Sequence, residues 1–207
     1  MKTFYYLSLC IFFFALNPAQ AQEENPSKWY ITGYGGIGYG NVVNDIEPNY
    51  DLNGSMGELL LNYRLNKKLG LATGIGYSIL TGNGFNSIGN FYHERSTLKI
   101  PVLLSLQTEL TEYLSVVGNF GFYGQVITRD KYQFLNSTQQ DNFEGWNGGM
   151  QISFGFALKV TEQLSAGISF SGQSDLNTFE PDTDGAINDL QKIRNLSSVG
   201  LLFIMEL

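Results

Sequence analysis

The feature that most constrains this chain is the alternation across residues 146–160, WNGGMQISFGFALKV. Every second residue from Trp146 reads Trp, Gly, Met, Ile, Phe, Phe, Leu, Val, whereas Asn147, Gly149, Gln151, Ser153, Gly155, Ala157 and Lys159 fill the other row. Successive side chains of a strand point to opposite faces, so this is a ribbon with one oily side and one small or polar side. The pattern outruns the roughly 9–11 residues that a tilted strand needs to cross a bilayer. A single such strand leaves its backbone unsatisfied in hydrocarbon, so the rest of the chain must supply enough partners to close a barrel.

The amino terminus has the organisation of a secretory signal. Lys2 gives the positive start, FYYLSLCIFFFAL follows as a short apolar run, and Ala19-Gln20-Ala21 forms an A-x-A site, which predicts cleavage between Ala21 and Gln22. The domain boundaries that follow are 1–21 for the signal, 22–28 for a short linker and 29–207 for the barrel. The sole cysteine, Cys10, lies within the signal, so the mature chain has no disulfide and no thiolate metal site. Leu9 stands where a lipoprotein signal wants a small residue, which argues against lipid attachment at Cys10. No mature apolar run approaches the length of a membrane helix.

Three further segments repeat one design: a short polar turn, a leucine, then a glycine-punctuated strand ending on aromatics. They start at Leu69, Leu114 and Leu164 and are spaced as hairpins would be. Eight strands follow, near 29–39, 55–65, 69–80, 92–106, 113–128, 146–160, 164–175 and 193–207. Tight turns near 66–68, 107–112 and 161–163 alternate with longer connections near 40–54, 81–91, 129–145 and 176–192. The expected fold is all-β: an antiparallel up-and-down eight-stranded transmembrane β-barrel, its short turns periplasmic and its long loops outside. Trp29 and Tyr63 fall near one set of strand ends and Tyr39, Tyr77 and Trp146 near the other, as two aromatic girdles would. A soluble barrel or sandwich with the same residues packed inward is the competing architecture, and strands this long and a facing row rich in lysine and glutamine disfavour it. Pro101, inside LKIPVLL, predicts a bulge or bend in the fourth strand.

The inward row carries Glu58, Arg64, His93, Arg95, Lys99, Lys159 and Asp175, with Glu206 as a further acid. An eight-stranded barrel is just wide enough to be filled by side chains, so mixed charges there must pair. The two outcomes are a self-satisfied polar plug and a narrow path past the basic row of His93, Arg95 and Lys99. With His93 as the only histidine, a multi-histidine metal site is excluded. His93-Glu94-Arg95 also lacks the His-x-Ser of a lipid-modifying barrel enzyme. Glu180, Asp182 and Asp184, followed by Gly185, resemble the start of a calcium loop. Position 12 is Gln191, which offers no bidentate carboxylate. A net charge of −7 argues against a nucleic-acid partner. The expected surroundings are outer-membrane lipid and an unidentified surface or periplasmic protein, with no cofactor and no enzymatic activity.

Three features together resemble the small outer-membrane barrels of Bacteroidetes, the PorT-like or porin-family proteins. They are an AQAQ signal end before the Trp-Tyr-x-x-Gly-x-x-Gly strand start at 29–36, the LKIPVLL strand at 98–104, and the repeated turn-leucine unit. The resemblance spans the mature chain. It implies a barrel of the OmpA/OmpX type in an outer membrane and carries over no catalytic residue.

Overall fold

A computed structural model of the protein describes residues 27–140, 143–181 and 189–207. The wall comprises β1 (Trp29–Asn44), β2 (Tyr50–Arg64), β3 (Leu69–Asn86), β4 (Gly89–Glu109), β5 (Leu114–Phe134), β8 (Trp146–Lys159), β9 (Leu164–Asp175) and β11 (Gln191–Glu206). Each strand pairs antiparallel with its neighbours in sequence, and β11 returns to β1, where Ile31 faces Met205 and Gly33 faces Phe203. The result is a closed up-and-down barrel of eight strands with no free edge. Short strands decorate its outer end: β6 (Thr138–Gln140) extends β5, and β7 (Phe143–Glu144) pairs with β10 (Glu180–Pro181). The signal cleavage pair Ala21 and Gln22 lies outside the described residues.

The inner turns share one chemistry. In the segments 65–69, 110–114 and 160–164 the first residue's N–H donates to the carbonyl of the closing leucine at 2.8–2.9 Å. A side-chain oxygen at the second position, from Asn66, Thr111 or Thr161, accepts the N–H of the closing leucine and of the residue before it. The polar residue before each leucine in the sequence repeat is therefore the turn's own hydrogen-bond acceptor.

Around the middle of the wall, large apolar side chains stand exposed on the outside. On β4 these are Leu98, Ile100, Val102, Leu104 and Leu106, and on β8 they are Ile152, Phe154, Phe156 and Leu158. Trp29 packs on Tyr63 at a centroid distance of 4.8 Å at the inner margin, and Tyr39, Tyr77 and Trp146 mark the outer one. This is a lipid-facing belt between two aromatic girdles.

Most wall strands do not stop at the outer girdle, contrary to the expected long connections at 40–54 and 81–91. The first is only 45–49. The second is the two-residue turn 87–88, where Asn86 Oδ1 accepts the N–H groups of Ile88 and Gly89. The reason is a reversal of pattern. Past the girdle the inward residues become aromatic and aliphatic, while Asp51, Asn53, Glu94 and Arg129 turn outward. A reading tuned to apolar-out strands registers these extensions as loop, although they are ordinary strands of a water-exposed wall around a dry core.

Two β-bulges sit at this level. The β4–β5 register shifts between Ser96 and Thr97, leaving Thr128 of β5 extra, and the β1–β11 register shifts between Tyr39 and Asn41 around Asn195, which has φ +52°. Each extra residue flips the parity of everything beyond it. Pro101 makes no bulge: the β3–β4 register is the same on both sides of it, and its missing donor removes ladder bonds without displacing the strand.

Candidate functional site

The interior is filled by layers of polar groups that alternate with apolar clusters, one of Tyr30, Val117, Ala157, Leu202 and Ile204 and another of Leu60, Ala72 and Leu103. At the inner end the Arg64 guanidinium lies 2.5 Å and 2.6 Å from the two Glu206 carboxylate oxygens and 4.3 Å over the Tyr30 ring. It also donates to the Ser27 carbonyl and the Gln107 side chain. In the middle, Lys99 Nζ lies 2.7 Å from Glu58 and donates to Gln151 and Gln173. Gln151 Nε2 in turn donates to both Glu58 oxygens. A cavity of about 20 Å³ beside this pair has room for about one water. Asp175 accepts from Tyr123, Gln125 and the Ile193 N–H, which caps the backbone of β11 where β9 ends.

The outer layer lies above the lipid belt. Arg95 Nε donates to Asp130 at 2.8 Å, and its Nη2 donates to Gln191 at 2.9 Å. His93 Nε2 lies 2.8 Å from the same Asp130 oxygen, Nδ1 lies 2.8 Å from the Tyr50 hydroxyl, and the imidazole stacks on Tyr132 at 4.0 Å. Burial outweighs the Asp130 hydrogen bond and pushes the His93 imidazole down to about 4, so it is neutral at pH 7. Neutral His93 then donates through Nε2 to Asp130 and accepts from Tyr50 through Nδ1.

Above these groups sits an apolar lid. Tyr50, Leu52, Leu80, Phe91, Tyr132, Phe143, Phe179 and Ile193 are buried together, and the Arg95 guanidinium lies 4.9 Å from the Phe143 ring and 5.7 Å from the Phe179 ring. Phe143 and Phe179 come from the two longest outer connections, which β7 and β10 join and which Phe179 ties to Gln191 through backbone bonds of 2.6 Å and 3.2 Å. Asp189, itself buried, accepts the N–H groups of Asp45, Ile46 and Glu47 at 2.8–3.2 Å. Glu47 then accepts from the Ser87 N–H and hydroxyl. The outer connections hold one another closed.

The residues singled out from sequence therefore separate as follows. Glu58, Arg64, His93, Arg95, Lys99 and Asp175 all point into the barrel, in successive layers. Lys159 does not: it ends β8 at the inner rim, exposed, and pairs with Glu162 in the adjoining turn at 2.8 Å. Interior parity has no meaning where the wall stops. Glu180 is exposed at the start of β10, while Asp182 and Asp184 lie outside the described residues. Gln191 is turned inward, where its Oε1 accepts from Arg95 and Tyr132. Among the described residues no cluster of His, Cys, Asp and Glu is arranged to hold a metal ion. Asp130, the acid that balances Arg95, escapes the sequence reading because that reading ends the fifth strand at 128 and places Asp130 in the 129–145 connection, whereas β5 continues and the bulge at Thr128 turns Asp130 inward.

A family model for the outer membrane protein beta-barrel domain matches residues 7–194. The chain belongs to that family. Among solved structures, this member of the outer membrane protein beta-barrel family is similar to neisserial surface protein A, at 9% identity and a TM-score of 0.53, over 89% of this chain and 100% of that one. OprG from Pseudomonas aeruginosa gives 12% identity and a TM-score of 0.48, over 91% and 100% of the two chains. Ail of Yersinia pestis gives 10% and 0.44, over 86% and 99%. No curated protein matches the sequence. Family and fold together support an outer-membrane location for this barrel.

Proposed function

We propose that this protein is a closed, non-enzymatic outer-membrane barrel, exported by a signal cleaved after Ala21, which acts through its outer face and not through its lumen. The observation that carries this reading is the filled interior. Arg64–Glu206, Lys99–Glu58 and Arg95–Asp130 neutralise one another in layers, and the Phe143 and Phe179 rings lie over the outermost pair. The Tyr50–His93–Asp130 chain has the connectivity of a proton relay, but all three residues are buried, which supports a structural role. The interlocked outer connections supply a fixed surface for contacts with another protein, and membership of the PorT-like group is part of the same reading. Single-channel recording of the mature protein in a planar bilayer tests it, with heat-shifted gel mobility reporting the folded barrel. A silent membrane is the expected result.

A second reading keeps a narrow solute path lined by Arg95 and Lys99, because both cations lie along the axis that a solute would follow. Steady current steps that fall when either cation is neutralised would establish that path and overturn the closed barrel.

A further inference from the structure

The two bulges have a common consequence for charge. Of the described lysines and arginines, Arg95 and Lys99 are inside, and Lys28, Arg64, Lys67, Lys68 and Lys159 lie at the inner end. The remaining ones are Arg129 and Lys131, just past the bulge at Thr128, and Arg194 and Lys192, just past the bulge at Asn195. All four stand on the outside of the wall. On β5 they alternate with buried Asp130 and Tyr132, and on β11 with buried Ile193 and Gln191. Without the extra residue in each strand, the same sequence would place these cations in the core and the aromatic and aliphatic residues in water. A bulge that re-aims side chains is a designed feature of a strand. Here two of them place every outer-side surface cation of the described wall at one height.

That height is the margin of the lipid belt. Val126, three residues before Arg129, pairs with Trp146 of the outer girdle, and Tyr39 of the same girdle pairs with Ser197, three residues after Arg194. The described acids on this outer side are Asp45, Glu47, Asp51, Glu94 and the exposed Glu180, which lies next to the Phe179–Gln191 bridge at the start of β11, and Glu47 is held by Ser87. Glu94 lies 3.0 Å from Arg129, whose side chain stays 55% exposed, and Asp51 is held by Asn41. Lys131, Lys192 and Arg194 make no ion pair with another described residue. Long cationic side chains at this level reach the headgroup layer while their stems lie on apolar wall. A phosphate there finds a guanidinium and an ammonium on each of two strands.

We propose that Arg129 and Lys131 on one side of the barrel, and Lys192 and Arg194 on the other, form a lipid-headgroup site that selects phosphate-bearing anionic lipids in the outer leaflet. The proposal rests on the outer-membrane orientation given above but not on whether the barrel conducts, so its test reads lipid contact and not current.

The probe is quenching of Trp146 by brominated lipid. Trp29→Phe leaves Trp146 as the only tryptophan, since the sequence has two. The protein is refolded into phosphatidylcholine vesicles that carry a fixed fraction of dibrominated phosphatidylglycerol or of dibrominated phosphatidylcholine. Attraction per surface cation near an anionic membrane corresponds to about a fivefold enrichment. Stronger quenching by the anionic lipid is expected, with a preference on the order of fivefold, collapsing towards equality in R129Q/K131Q at unchanged heat-shifted mobility. If that variant does not fold, K131Q alone should lose part of the preference. The β11 pair is read with Ser197→Trp in a background lacking both native tryptophans, comparing K192Q/R194Q with its parent. Equal quenching by the two lipids in the unaltered protein, or a preference that survives neutralisation, overturns the proposal. So does binding of soluble polyglutamate in place of lipid selection, which would assign the cations to an acidic protein partner.

Discussion

Lys99 and Glu58 meet at 2.7 Å across the intervening strand β3, and they meet because residue 76 is glycine. The register runs Glu58, Gly76, Lys99 along one row of the inner face, and a Cβ on residue 76 would stand 2.8 Å from Lys99 Cε. An empty position between two opposite charges lets the long side chain pass over the inner face of β3 to its partner. In a lumen this narrow, the small residue is as much part of the ion pair as the charges are.

Removing one member of that pair leaves a buried charge without a counter-ion. Lys99→Met is expected to destabilise the barrel by about 3–5 kcal/mol, while Glu58→Leu combined with Lys99→Met recovers most of the loss. Urea unfolding in lipid vesicles measures both. A double variant whose loss equals the sum of the Lys99→Met and Glu58→Leu losses would show that the two groups act independently.

Phe154 lies on the outside of β8 and faces Phe170 of β9, in the middle of the apolar belt. Phe154→Arg places a charge against hydrocarbon and should cost roughly 2–4 kcal/mol, with slower insertion. Folding yield and unfolding midpoint in vesicles check this, and a variant that folds like its parent would contradict the face assignment.

Asp189 holds the 45–47 turn by its three N–H groups. Asp189→Ala leaves those donors to water and should loosen the outer cap by about 1–3 kcal/mol while the wall stays intact. Limited proteolysis from the outer side is the measurement: faster cleavage within 45–49 with unchanged heat-shifted mobility is expected.

Asn195 occupies the left-handed region that creates the β11 bulge. Asn195→Gly should be close to neutral, whereas Asn195→Val should cost on the order of 1–2 kcal/mol because a β-branched residue is strained there. Chemical denaturation of the two variants side by side provides the comparison.

What the sequence determined by itself was the wall within the membrane. Trp146 to Lys159 alternates without interruption, the turn acceptors Asn66, Thr111 and Thr161 precede their leucines, and each of these signals is local. Period-2 patterning and turn chemistry depend on neighbours in the chain, so a single strand reveals them. Parity likewise put Glu58, Arg64, His93, Arg95, Lys99 and Asp175 inside, since the strands run unbroken to those positions.

Tertiary structure decided the rest. Whether position 130 faces the core depends on one unpaired residue at Thr128, and a bulge is a relation between two strands that neither strand carries alone. The partners of the inner charges are set by register and by gaps such as Gly76, and Lys159 fell outside because the wall ends there. Above the girdle the solvent changes from lipid to water. The same alternation then means the opposite face, and only the closed barrel shows where that change occurs.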